Sequence, residues 1–172
     1  MTEKETIEHI IATGKSPRTF DDYTNYFFLI FPIVFVAMGS SMTYNYIKFH
    51  TGLLILVLSI LFIFLGVFFA FFILNRLNDN ITFKTISAIT DDDIDNVSER
   101  LNQKFNLRRI DADKELNSIV AFTKVTAFSW GDQLTLVFDN DRILVNSRPS
   151  GSRQPFTIMK DMQNIKRLEQ IL

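Results

Sequence analysis

Apolar residues follow two regimes along this chain. From Thr24 to Leu74 they run almost unbroken, with Lys48 as the one Lys, Arg, Asp or Glu in that window. Elsewhere they recur at helical or strand spacing among charged residues. The unbroken part divides into two spans, about Thr24–Tyr44 and about Gly52–Leu74. Each exceeds the ~18 uncharged residues expected of a membrane-crossing helix, and at 1.5 Å per residue each covers ~30 Å. Buried core helices are the alternative reading. A chain of this size has no soluble core large enough to hide two adjacent runs of this length.

The Tyr residues support the membrane reading. Tyr23 and Tyr26 stand at the start of the first span, and Tyr44 and Tyr46 at its end. Phenol rings favour the headgroup level, where one end of the ring is dry and the other wet. A cleaved signal is not expected, because more than ~20 mixed-charge residues precede a run longer than a signal core. The loop between the spans, Asn45–Thr51, is short, so the spans are predicted to form an antiparallel hairpin. Lys15 and Arg18 precede it, Arg76 and Lys84 follow it, and the loop offers Lys48 alone. By the positive-inside rule both termini are expected in the cytoplasm.

Helices in lipid associate through small residues. Ser59, Gly66 and Ala70 form one small-residue stripe on the second span, and Ala37 and Ser41 a shorter one on the first. These stripes are expected to face each other or a second copy. Pro32 removes a helical N–H and is expected to kink the first span.

Residues 1–22 read as a polar arm with a short amphipathic helix on Ile7, Ile10 and Ile11, stopping at Gly14. It is expected to lie on the membrane or on the tail domain. Residues 75–172 read as a small α+β domain, joined through a linker at Asn75–Asn80. Ile81–Ile86 alternates like a strand. Thr90 followed by Asp91, Asp92 and Asp93 reads as a helix start, with Ile94, Val97 and Leu101 as its buried stripe. Asn106–Asp111 and Ser118–Val125 read as a strand pair. Residues 134–138 and Arg142–Ser147 read as a hairpin around Asp139-Asn140-Asp141. A final helix from about Met159 places Met162, Ile165, Leu168 and Leu172 on one face. The order is β-α-β-β-β-β-α, an antiparallel sheet with two helices on one face.

Composition and charge narrow the function classes. There is no Cys and there are two His, both outside residues 75–172. The tail therefore holds no Ser–His or Cys–His arrangement, and an enzyme is not expected. The formal net charge of -1 argues against a nucleic-acid binder. Asp91, Asp93 and Asp95 have the spacing of a calcium loop, but Asn96 stands where Gly is needed and Asn102 where the bidentate Glu belongs. No metal and no cofactor is expected. Arg142, Arg148, Arg153, Lys160, Lys166 and Arg167 form a basic stretch. It reads either as a patch for anionic lipid or a partner, or as a solvated face with charges pointing several ways. Trp130 reads as a core anchor or a partner contact.

The run SWGDQLTLVFDNDRILVNSRPSG, followed by a helix containing Gln163-Asn164-Ile165, resembles a small α+β tail in uncharacterised bacterial two-span membrane proteins. The matching positions are Ser129, Trp130, Gly131, Asp132, Ser147 and Asn164. The resemblance covers about the last third of the chain and implies no activity. The expected location is the bacterial inner membrane. The expected partners are the lipid bilayer and either a second copy or another membrane protein. The expected role is a non-enzymatic interaction domain beside the bilayer. A small-ligand-binding or enzymatic tail and an accessory transporter or channel subunit are the alternatives.

Overall fold

The computed structural model describes residues 1–50, 52–87, 93–125, 131–140, 142–150 and 160–172, all but the side chains of 160 and 161. They form two compact units. One is residues 22–77; the other joins residues 1–21 to residues 78–172.

The helical unit is built on α2 (Phe20–Asn25), a 3₁₀ turn (Tyr26–Leu29), α3 (Ile30–Phe49) and α4 (Leu53–Ile81). The 3₁₀ turn ends three residues before Pro32. Proline has no N–H to give the carbonyl four residues back and its ring crowds that carbonyl, so the preceding turn tightens. Two helical stretches, Phe20–Phe49 and Leu53–Ile81, are long and apolar enough to cross a membrane, with mean hydropathies of 1.8 and 3.1.

α3 and α4 run antiparallel in close contact. Gly39 lies against Ser59 and Ile63, and Gly66 lies against Pro32 and Val36. A Cβ at Gly39 would sit 2.7 Å from the Ser59 carbonyl oxygen; one at Gly66 would sit 2.8 Å from that of Pro32. The Phe35 and Phe62 rings stack 5.6 Å apart.

The contact line on α3 is therefore Pro32, Val36, Gly39 and Thr43. Ala37 and Ser41 are exposed instead. Each stands two residues from Gly39, and at roughly 100° per residue that places them on the far side of the helix. On α4, Ser59 and Gly66 are buried and Ala70 is half-buried. The hydroxyls of Thr43 and Ser59 lie 3.1 Å apart, with Ser59 donating to the Leu56 carbonyl at 2.7 Å.

The second unit is a five-stranded antiparallel sheet with helices. Its strands are β1 (Lys84–Ser87), β2 (Leu107–Asp113), β3 (Ser118–Thr123), β4 (Asp132–Asp139) and β5 (Arg142–Pro149), in the order β1-β5-β4-β3-β2. Two helices, α5 (Ile94–Lys104) and α6 (Lys160–Glu169), cover one face. Val97, Leu101, Ile119, Leu134, Leu136, Val145 and Leu168 make the centre of that core, all essentially inaccessible.

The other face is not bare. α1 (Glu3–Thr13) lays Ile10 against Phe83, Val137 and Leu144, with Ile7 and Ile11 beside it. The helix has defined ends. Thr2 and Glu5 form a reciprocal capping box, and Gly14 closes the C-terminus at φ +66°. The chain then bonds into the sheet unit: the Ser16 N–H donates to the Ile81 carbonyl, and the Phe83 N–H to the Gly14 carbonyl, both at 2.8 Å.

Several boundaries differ from the sequence expectation. Residues 75–80, expected as a linker, are the last turns of α4. They contain neither Gly nor Pro, so nothing stops the helix. Ile81, expected to begin a strand, ends that helix, and β1 starts at Lys84. α5 begins at Ile94 with Asp93 as its cap residue; Thr90, Asp91 and Asp92 lie outside the described residues. Met162 is 43% exposed and off the buried stripe of α6.

Candidate functional site

Alternation along a strand sends every second side chain to the face that α1 only partly covers. Register then aligns these side chains into rows. The first row is Arg109, Phe122, Gln133 and Arg148, running from β2 to β5. The second is Asp111, Val120, Thr135 and Asn146; the third is Asp113, Ser118, Val137 and Leu144. α1 covers the third row at Val137 and Leu144. The first two rows floor an open groove of about 870 Å³, walled by Thr6 and Ile7 of α1 and by Phe83. That volume lies within the usual range of small-molecule clefts.

The polar groups of the groove bond to one another. Arg109 Nε lies 2.9 Å from Asp111 Oδ1. Arg148 donates to Gln133 Oε1 at 3.3 Å, and Gln133 Nε2 donates to Thr135 Oγ1 at 3.3 Å. Asn146 is buried and donates to the Thr82 carbonyl at 2.7 Å, which ties β5 to the end of α4. Beside the groove, Lys114 pairs with Asp95 and links the β2–β3 turn to α5. That hydrogen bond and the charge of Asp95 raise the ammonium above its ordinary 10.5. The Lys114 charge therefore persists throughout the neutral range, and on the alkaline side the tie weakens as pH rises through the raised value.

A second polar cluster lies on the closed face. Asp132, Ser147 and Asn164 are all buried, and the Asn164 amide donates to Asp132 Oδ2 at 3.0 Å and to Ser147 Oγ at 3.1 Å. The Asp132 N–H donates to Thr123 Oγ1 at 2.7 Å. Preceding it, Gly131 has φ +88°, and a Cβ there would meet the Thr123 carbonyl oxygen at 2.6 Å. The cluster ties α6 to β4 and β5 from within the closed face.

The residues singled out from sequence are dispersed. Arg142 pairs with Asp139 at 2.7 Å and donates to the Ile11 carbonyl at 3.3 Å, holding the end of α1. Arg148 lies in the groove, whereas Lys166 and Arg167 are exposed on α6, which covers the opposite face. The described members of the basic stretch thus do not form one surface. Arg153, Trp130, Ser129 and the side chain of Lys160 lie outside the described residues. Tyr23 and Tyr44 are exposed, and Tyr26 and Tyr46 half-buried, in the helical unit. Asp95 of the calcium-like spacing is engaged by Lys114. Among the described residues no group of three or more His, Asp or Glu is placed to hold a metal.

Arg109, Phe122 and Gln133 were not singled out from sequence. A signal was present: β3 reads Ser-Ile-Val-Ala-Phe-Thr, apolar on both faces, and Val137 and Leu144 break the alternation of their strands. Apolar residues on both phases of a strand mean that both faces meet something. No known family model, curated protein or solved structure matches the chain.

Proposed function

We propose that this chain is a two-pass integral membrane protein whose α+β unit is a non-enzymatic interaction domain on the cytoplasmic side. The observation that carries the reading is the exposure of the long helices. Only 11% of the most apolar window of each is buried, whereas a core helix of a soluble protein is mostly buried. Phe27, Phe31, Leu54, Phe64 and Phe71 are each more than half exposed. At ~25 cal/mol per Å² of apolar surface, such a pair is costly in water and at home in lipid.

Two further observations support the reading, one for the interaction role and one for the orientation. The open groove sets Arg109, Gln133 and Arg148 beside Phe122, a mixed polar and apolar floor suited to holding a partner. The charge balance across the spans, Lys15, Arg18, Arg76 and Lys84 against Lys48, favours cytoplasmic termini. The expected result is that the protein resists alkaline carbonate extraction from membranes. A fluorescent protein fused after Leu172 should mature, and alkaline phosphatase fused there should stay inactive. Release into the supernatant would overturn the membrane assignment, and active phosphatase would overturn the orientation.

A further inference from the structure

Among the described residues the sheet ends on β2, which pairs with β3 on its inner side and with no described strand on its outer side. A free edge is a template for another strand, and proteins usually guard it with charge. β2 is guarded in a particular order. Arg109 and Asp111 flank Ile110, with side chains 68% and 46% exposed.

We propose that β2 pairs antiparallel with β2 of a second copy about a two-fold axis through Ile110, joining the two sheets edge to edge. This deepens the interaction reading, on which it rests, by naming the partner. About that axis Arg109 faces the second copy's Asp111, and Asp111 faces the second copy's Arg109. The four charges alternate at the corners of a square, each cation beside an anion both along its own strand and across the pair. Side chains directly opposed in such a pair have Cβ atoms ~5 Å apart, close enough for ion pairing.

Charge also selects the register. Centring the axis on Arg109 opposes two arginines, and centring it on Asp111 opposes two aspartates. A two-fold perpendicular to the sheet must pass through a residue if each face is to stay continuous, so the slip of half a step is excluded. The register irregularity between Leu107 and Arg109 falls opposite Asp113 in this arrangement, so the stretch that is regular in both copies is Arg109–Asp111, the residues that carry the charge pairs. A foreign strand that places a cation opposite Arg109 or an anion opposite Asp111 meets repulsion at the same edge.

The chain contains no Cys, so an introduced thiol has no partner within its own chain, and a crosslinked band of twice the chain mass reports a second copy. In full-length protein in its membrane, Ile110→Cys should give a disulfide-linked dimer. Ala112→Cys should not, because the two copies of residue 112 would lie four residues out of register, ~13 Å apart. Ile110 is half-buried against the core, so charge variants on the otherwise native chain provide an independent reading. Arg109→Asp and Asp111→Arg should each lower dimer content about tenfold, and the double exchange should restore it. Dimer content unaffected by the single charge changes would overturn the proposal, as would equal crosslinking at 110 and 112. Capture of a different protein through the sheet unit, with the native chain monomeric, would overturn it too, while leaving the interaction reading intact.

Discussion

Gly39 and Gly66 hold the closest approaches between α3 and α4, where a single added methyl group would fall within 3 Å of backbone carbonyl oxygen on the opposite helix. Backbone cannot yield as a flexible side chain does, so the helices must separate. Gly39→Leu and Gly66→Leu are each expected to lower the thermal stability of the detergent-solubilised protein by several degrees. Ala37→Leu, on an exposed position, should leave it within about a degree. Equal effects at 37 and 39 would contradict the packing line. Gly66 was legible in the sequence as part of a small-residue stripe. Gly39 lies outside the stripe read on the first span, because an uninterrupted apolar run carries no polar face to set the rotation of the helix. The phase had to come from the pairing itself.

α1 shows the same limit at the scale of an element. Its existence could be read from Ile7, Ile10 and Ile11 and the stop at Gly14, but not the surface it would cover. That surface is made by Phe83, Val137 and Leu144, residues distant in sequence that the β1–β5 and β4–β5 pairings bring together. Ile10 is 3% exposed there. Burying a carboxylate at this position without a partner costs several kcal/mol, more than the loss of the apolar contact alone. Ile10→Asp is therefore expected to release α1 and expose Val137 and Leu144. Amide hydrogen exchange along Glu3–Thr13 should then rise while that of α5 stays protected. Protection of α1 left unchanged would show that Ile10 is not what holds it.

At the scale of the whole molecule, the sheet unit is discontinuous in sequence: residues 1–21 and 78–172 fold together. A fragment beginning at residue 78 lacks the helix that covers Phe83, Val137 and Leu144. It should aggregate at concentrations where a chain joining residues 1–21 to residue 78 through a flexible linker stays monodisperse by light scattering. Equal solubility of the two would mean that α1 is dispensable for the unit. The sequence by itself determined the element order after residue 80, the two long apolar helices and most strand limits to within two residues. Those follow from local periodicity and from turn residues such as Asp139-Asn140, and they need no knowledge of what lies opposite. Tertiary structure alone decided that α1 covers part of the second sheet face, that Asp132, Ser147 and Asn164 meet, and that the described members of the basic stretch scatter over two faces. Each of these depends on register, because a one-residue slip turns a side chain to the other face. The pairing of β1 with β5 and the docking of α1 join segments tens of residues apart, which no local pattern records.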